Sequence, residues 1–321
     1  MTEFLHSLPK AELHLHLEGA VWPETLCEIE PALTPQEVSA RYRYSDFLGF
    51  LKCYAWVTSF LRGPAEYRIA ARRLFAYLRT QGVRHLELNL SVGVMIWRQQ
   101  NVNGILDAVF EESMAAGFPV YFIFDAVRQF SMEETWRVAR LAVARRRQNV
   151  IGFGIGGDEG RGPAGLFREV FAYTTKHGLH ALPHAGESQG PESVWAALEL
   201  GARRIGHGIR SIDDPVLVRH LANHKIPLEI CVSSNVATGV VPSLEEHPLR
   251  KLYDRGIPIT LNTDDPAMFH CTLLGEYQLA LDSFGFTQDE IAHIAQNSLR
   301  YSLVSSREEE ILGDGPRESS Q

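Results

Sequence analysis

The sequence predicts one α/β domain built as a (β/α)8 barrel of the TIM type. Three observations carry this expectation. Short apolar runs recur along the chain, each closed by glycine or polar residues. Stretches of helical character separate most of them. No Pro/Gly/Ser-rich linker, internal repeat or low-complexity segment divides residues 1–304. The eight candidate strands are Glu12–Leu17, Val83–Leu90, Val120–Asp125, Val150–Gly156, Leu179–His184, Arg204–His207, Leu228–Val232 and Ile257–Asn262. Strands that alternate with helices favour a parallel sheet, and eight of them can close on themselves inside a ring of helices.

The connection after the first run, from about residue 22 to 80, is too long for a simple crossover. Extra helices over the barrel mouth are expected there. Further along, Ser131-Met-Glu-Glu134 and Thr287-Gln-Asp-Glu290 fit capping boxes. In each, a hydroxyl accepts the amide three residues on, and the acid there reaches back. Pro191 suits a first helical position, where no amide proton is needed, and Gly201 suits the residue past that helix's end. Val194, Ala197, Leu198 and Gly201 would share one side of it. The stretch 305–321 is polar and holds Gly313, Gly315 and Pro316, so a flexible tail is expected.

Composition narrows the function. Hydrophobic residues make up 45% of 321, enough for a large core, and the net charge is −8. A nucleic-acid partner would call for a basic face instead. No apolar run is long enough to cross a bilayer. Met1–Pro9 contains Glu3 and His6 and lacks the cationic start of a secretory signal. The four cysteines, Cys27, Cys53, Cys231 and Cys271, are scattered and read as free thiols. A cytoplasmic protein without membrane or nucleic-acid partners is expected; oligomeric state stays open.

In a parallel barrel, chemistry sits where the strands end. The first run closes with His14-Leu-His16, and alternate residues of a strand share a face. The fifth closes with His184-Ala-Gly-Glu187, the sixth with His207 between two glycines, and the eighth with Asp264-Asp265. Taken singly, each has an ordinary structural reading: a satisfied core histidine, a loop carboxylate, a turn residue, a helix cap. Together they would converge on one barrel axis. Three histidines and an aspartate suit a borderline divalent ion such as Zn²⁺.

These motifs resemble the adenosine deaminase family. His14-Leu-His16-Leu-Glu-Gly19, His184-Ala-Gly-Glu187, Gly206-His-Gly208, Ser233-Ser-Asn235 and Leu261-Asn-Thr-Asp-Asp265 occur in that family's order. The likeness runs from about Leu8 to about Tyr301. It implies hydrolytic removal of a purine 6-amino group, with one zinc per chain held by His14, His16, His184 and Asp264. Zinc lowers the pKa of a bound water to about 7. Glu187 is implied as the acid that protonates N1, and His207 as the residue that orients the water and helps proton transfer. Asp264 is implied to share that task. Asp265 would bond N7, and the amide of Gly157 would reach N3.

Neighbouring chemistries fit less well. Cytidine-deaminase-like enzymes need a P-C-x-x-C pair, which this chain lacks. Two-metal hydrolases of the same barrel superfamily often use a lysine at the fourth strand's end, where Gly154-Ile-Gly-Gly157 stands here. A non-enzymatic family member would be free to lose a ligand or Glu187, and none is missing.

The substrate is less defined. Better-known members carry aspartate after H-x-H-L, near the ribose 5′ region, where this chain has Glu18. Glutamate there resembles bacterial branches that act on adenine or on aminodeoxyfutalosine, a menaquinone precursor whose 5′ side carries a carboxyphenyl ketone. Leu88–Trp97 and Asp125–Phe130 resemble the aminodeoxyfutalosine branch. Arg98 and Arg128, after the second and third strands, are candidate partners for the carboxylate. Trp97, Phe130 and Trp56 are candidates to cover its ring.

Overall fold

The computed structural model describes residues 2–303; the expected tail lies outside the described residues. Its centre is an eight-stranded parallel sheet whose strands pair in chain order. They are β1 (Lys10–His16), β2 (Val83–Leu90), β3 (Val120–Val127), β4 (Val150–Gly156), β5 (His180–Ala185), β6 (Ile205–His207), β7 (Leu228–Ile230) and β8 (Ile259–Leu261). The sheet closes between β8 and β1, where the His16 amide donates to Asp264 O at 2.8 Å and the Asp264 amide to His14 O at 2.9 Å. The (β/α)8 expectation holds, and each expected run overlaps a strand.

The last three strands have only three residues each, shorter than the apolar runs suggested. Side chains complete the pairing beyond β8. Asn262 Oδ1 accepts the Leu13 amide at 3.1 Å, and Glu12 accepts both the amide and the hydroxyl of Thr263. These residues continue the β1–β8 seam without a backbone ladder, so the pattern reads as strand while the hydrogen bonds do not.

All seven residues of β1 are buried. Alternation puts Glu12, His14 and His16 on one face and Ala11, Leu13 and Leu15 on the other. The apolar face packs beneath the helix Gln288–Arg300, whose Ser298 hydroxyl accepts the Ala11 amide at 2.8 Å.

Both predicted capping boxes form, at Ser131/Glu134 and Thr287/Glu290, and Pro191 opens the helix Pro191–Glu199. Residues 22–80 hold four helices: Pro23–Ile29, Pro35–Arg41, Phe47–Thr58 and Pro64–Thr80. Phe47–Thr58 lies over the mouth and lines the cavity there. Pro64–Thr80 instead packs beside Val102–Ser113. Among the described residues, no helix is long and apolar enough to cross a membrane, and all four cysteines are free.

Candidate active site

The strand ends bring together the side chains that the sequence singled out. One donor atom from each of His14, His16, His184 and Asp264 lies within 4.8 Å of the other three, and all four residues are buried. Nε2 of His16 is 3.2 Å from Nε2 of His184, while Oδ1 of Asp264 is 3.5 Å from His14 Nε2 and 3.4 Å from His16 Nε2. The far nitrogens are already engaged in two of the rings. His14 Nδ1 donates to Glu229 Oε2 at 2.7 Å, and His184 Nδ1 donates to the Ile155 carbonyl at 3.0 Å. Their Nε2 lone pairs therefore point inward, and His14 Nε2 is buried with no hydrogen-bond partner. A bare acceptor beside two further nitrogens and a carboxylate is costly unless a cation sits among them. The residues fit a divalent metal with nitrogen and oxygen ligands. A second possible group, His207, Cys231 and Asp264, overlaps the first through Asp264.

Glu187 is held by the loop after β5. Behind that loop lies Glu159, whose carboxylate accepts the amides of Gly186, Glu187 and Ser188, each at 2.9 Å, and the Ser193 hydroxyl. Four donors on one buried carboxylate fix the loop's course. Burial raises the Glu187 carboxyl well above its ordinary range, and the negative charges of Asp264 and Glu159 raise it further. A neutral, proton-bearing acid results.

His207 faces both acids. Its Nε2 is 3.7 Å from Glu187 Oε2 and 3.8 Å from Asp264 Oδ2. Burial pushes its pKa down to about 4, so the ring is neutral at pH 7. His207 and Asp264 both have left-handed backbone, with φ of 62° and 63°, a strained conformation often found at functional sites. Asp265 is buried and its Oδ1 has no hydrogen-bond partner. Burial and the adjacent Asp264 raise its carboxyl well above the usual value. Gly19 makes room for it: a Cβ there would lie 1.7 Å from Asp265 Oδ1. Gly157 borders the same cavity with φ +95°, a conformation that favours glycine.

The cavity above these groups has a volume of about 250 Å³ and opens to solvent. His16, His184, Glu187 and Asp264 lie at its inner end.

A family model described as adenosine deaminase matches residues 9–315. The chain belongs to the adenosine deaminase family. An aminodeoxyfutalosine deaminase from Streptomyces avermitilis is 34% identical over 94% of this chain and 88% of its own length. An adenosine deaminase from Edwardsiella ictaluri is 35% identical over 95% of this chain and 97% of its own. Among solved structures, an adenine deaminase from Arthrobacter aurescens superposes with a TM-score of 0.88 at 27% identity, covering 96% of this chain and 98% of that one. Like the rest of the family, this chain is a metal-dependent aminohydrolase, acting on adenosine- or adenine-like compounds.

Within this family frame, the residues chosen for the 5′ side of the substrate divide. Arg98 lines the outer cavity; one Nη donates to the Ala55 carbonyl at 2.9 Å, while its buried Nε has no partner. Trp97 and Phe130 also line it, stacked with centroids 5.2 Å apart. Arg128 does not line the cavity. Its guanidinium is spent on two backbone carbonyls, Gly162 and His184, the latter at 2.5 Å. Trp56 is also turned away, packed on Phe60 beneath the Arg41 guanidinium. Glu18 is fully buried, accepting the Ser91 amide at 3.1 Å and the hydroxyls of Tyr54 and Tyr67 at 3.4 Å. Tyr54 and Ser91 line the cavity in its stead.

The residues behind the site carry only a weak signature in the sequence. Glu229, which holds His14, also accepts from Arg204 Nε. Arg204 reaches on to Glu87 at 2.5 Å, and Glu87 to His85 at 3.2 Å. This line of hydrogen-bonded side chains is buried. A signal existed, since Glu87 and Glu229 interrupt apolar runs at inward positions. Asp125, at the inner wall, faces His16 Nδ1 at 3.6 Å, and neither of its oxygens has a hydrogen-bond partner.

Proposed function

We propose that this protein removes the 6-amino group of aminodeoxyfutalosine, using one zinc held by His14, His16, His184 and Asp264. The supporting observation is the two-part cavity. Its inner end carries the donors and acid that purine deamination needs. Its outer end offers the stacked Trp97–Phe130 pair with the Arg98 guanidinium over the Trp97 ring. The name of the Streptomyces avermitilis relative points the same way.

Zinc, when bound, supplies Lewis acidity that makes a water nucleophilic near neutral pH. This chain's residues do the rest. Asp265 bonds N7 and the Gly157 amide bonds N3, which orients the ring. Glu187 gives its proton to N1, so that C6 becomes electrophilic. Water adds to C6 and gives up a proton to Asp264. That proton passes to the amino group, the C6–N bond breaks and ammonia leaves. The new hydroxyl returns a proton to Glu187 as the 6-oxo purine forms, which restores the acid.

Comparing kcat/KM for aminodeoxyfutalosine, adenosine, 5′-methylthioadenosine and adenine tests the substrate. The benzoate compound is expected to be best, adenosine next and adenine last. Equal or better turnover of adenosine or adenine would sink the specific assignment.

A further inference from the structure

Behind His207 lies a line of hydrogen bonds whose direction can be read from one end. The Leu249 backbone amide is a fixed donor, and it points to His247 Nδ1 at 3.1 Å. That nitrogen must therefore be an acceptor. His247 is buried, and burial holds its pKa down to about 4. A neutral ring with a bare Nδ1 carries its proton on Nε2. His247 Nε2 is 3.1 Å from Asn235 Oδ1, so it donates there. The Asn235 oxygen is thereby assigned, and its amide nitrogen is the atom 3.2 Å from His207 Nδ1. An amide nitrogen can only donate. His207 Nδ1 must accept, and its proton lies on Nε2, facing Asp264 and Glu187.

We infer that His247 and Asn235 are positioning residues that lock His207 as an Nε2–H donor. Resting on the deaminase reading above, this assigns His207 a role: it donates to the oxygen that adds to C6 and cannot also take that oxygen's proton. Asp264 Oδ2, which accepts the Ser234 hydroxyl at 2.6 Å, is left as the proton acceptor. The device works only in one direction. A neighbour that accepts at Nδ1 instead of donating would move the His207 proton to Nδ1. Nε2 would then present a lone pair to two acids and to the reacting oxygen.

Asn235→Asp makes that inversion with almost no change in shape. In serine hydrolases, a carboxylate-to-carboxamide exchange that inverts a histidine tautomer lowers kcat about 10⁴-fold. The opposite exchange here is expected to lower kcat by about 10³-fold or more, with KM within about threefold and metal content unchanged. His247→Gln keeps one donor and one acceptor in line and should retain most of the rate. His247→Leu breaks the line and should lose about 10–100-fold in kcat, as is usual for a group that orients a site residue. Long-range ¹H–¹⁵N spectra of histidine-labelled holoenzyme read the tautomer without turnover. His207 should carry its proton on Nε2 in the wild type and on Nδ1 in Asn235→Asp. A wild-type proton on Nδ1, or an Asn235→Asp enzyme with a third of its kcat, would overturn the inference. A wild type that deaminates none of the four purines would instead overturn the functional reading, and the spectra would still decide the tautomer.

Discussion

At the inner end of the cavity, most polar side chains have a partner behind them. Glu229 holds His14, the Ile155 carbonyl holds His184, Ser234 holds Asp264, Asn235 holds His207, and Glu159 holds the loop of Glu187. At the outer end the wall is mostly apolar, formed by residues such as Phe47, Leu51, Val94 and Phe130. Trp97 there is 52% exposed. The difference follows from what burial costs. A buried polar group needs a matched partner with specified geometry, so the inner end tolerates few residue types. An apolar wall needs only volume and shape, which many residues can supply. Chemistry is therefore written rigidly at one end and substrate choice loosely at the other.

The largest expected effects lie at the inner end. Asp264→Ala or His184→Ala should remove most of the metal and nearly all activity, measured by metal analysis beside ammonia release. Stoichiometric, tightly held metal in Asp264→Ala would break the ligand assignment, and with it the contrast between the two ends.

Glu187→Gln should keep metal and fold and lose about 10²–10⁴-fold in rate, the usual worth of general acid catalysis, or more if N1 activation fails entirely. The pH profile supplies the sign. Burial first, then Asp264 and Glu159, raise the Glu187 pKa, so its working neutral form persists above the ordinary carboxylate range. Activity should hold below the raised pKa and fall as pH rises through it. A flat alkaline limb, or a glutamine variant with a third of the rate, would require another proton donor.

Much of this contrast was legible before the structure. His14-Leu-His16 reads as an inward pair because alternation on a strand has only two outcomes. His184 and His207 close apolar runs that read as strands, and Asp264 follows a third. Position after a strand end does not say which way a long side chain turns, and at Arg128 two backbone carbonyls claim the guanidinium. Glu159 reads as an ordinary loop residue, and Asn235 stands in a motif that assigns it no partner. Their roles depend on contacts with residues tens of positions away, which no local pattern encodes.

Arg128 sharpens the comparison from the structural side. Arg128→Ala would strip the Gly162 and His184 carbonyls of their donors. Each buried group left unsatisfied costs about 1–3 kcal/mol. A lower melting temperature is expected, with similar losses for every substrate because the His184 strand end loosens. A loss confined to the benzoate compound, with stability intact, would return Arg128 to the substrate site.

Arg98 gives the smallest effect and the most specific one. Its Nη contact to Ala55 fixes the side chain along the helix Phe47–Thr58, while Nε remains without a partner. A guanidinium beside the Trp97–Phe130 stack suits a carboxylate on an aromatic ring. Hydrogen bonds to charged groups contribute about 1.5–3 kcal/mol. The low end applies to a half-exposed arginine, so Arg98→Ala should lower kcat/KM for aminodeoxyfutalosine about tenfold. Adenosine and 5′-methylthioadenosine carry no carboxylate and should change less than about twofold, within the ordinary scatter of surface substitutions. KM should absorb most of the loss, because the contact is equal in ground and transition states. An equal fall for all three nucleosides would mean that Arg98 only braces the helix over the mouth. The outer wall would then select by shape alone, with the Trp97–Phe130 stack as the next feature to alter.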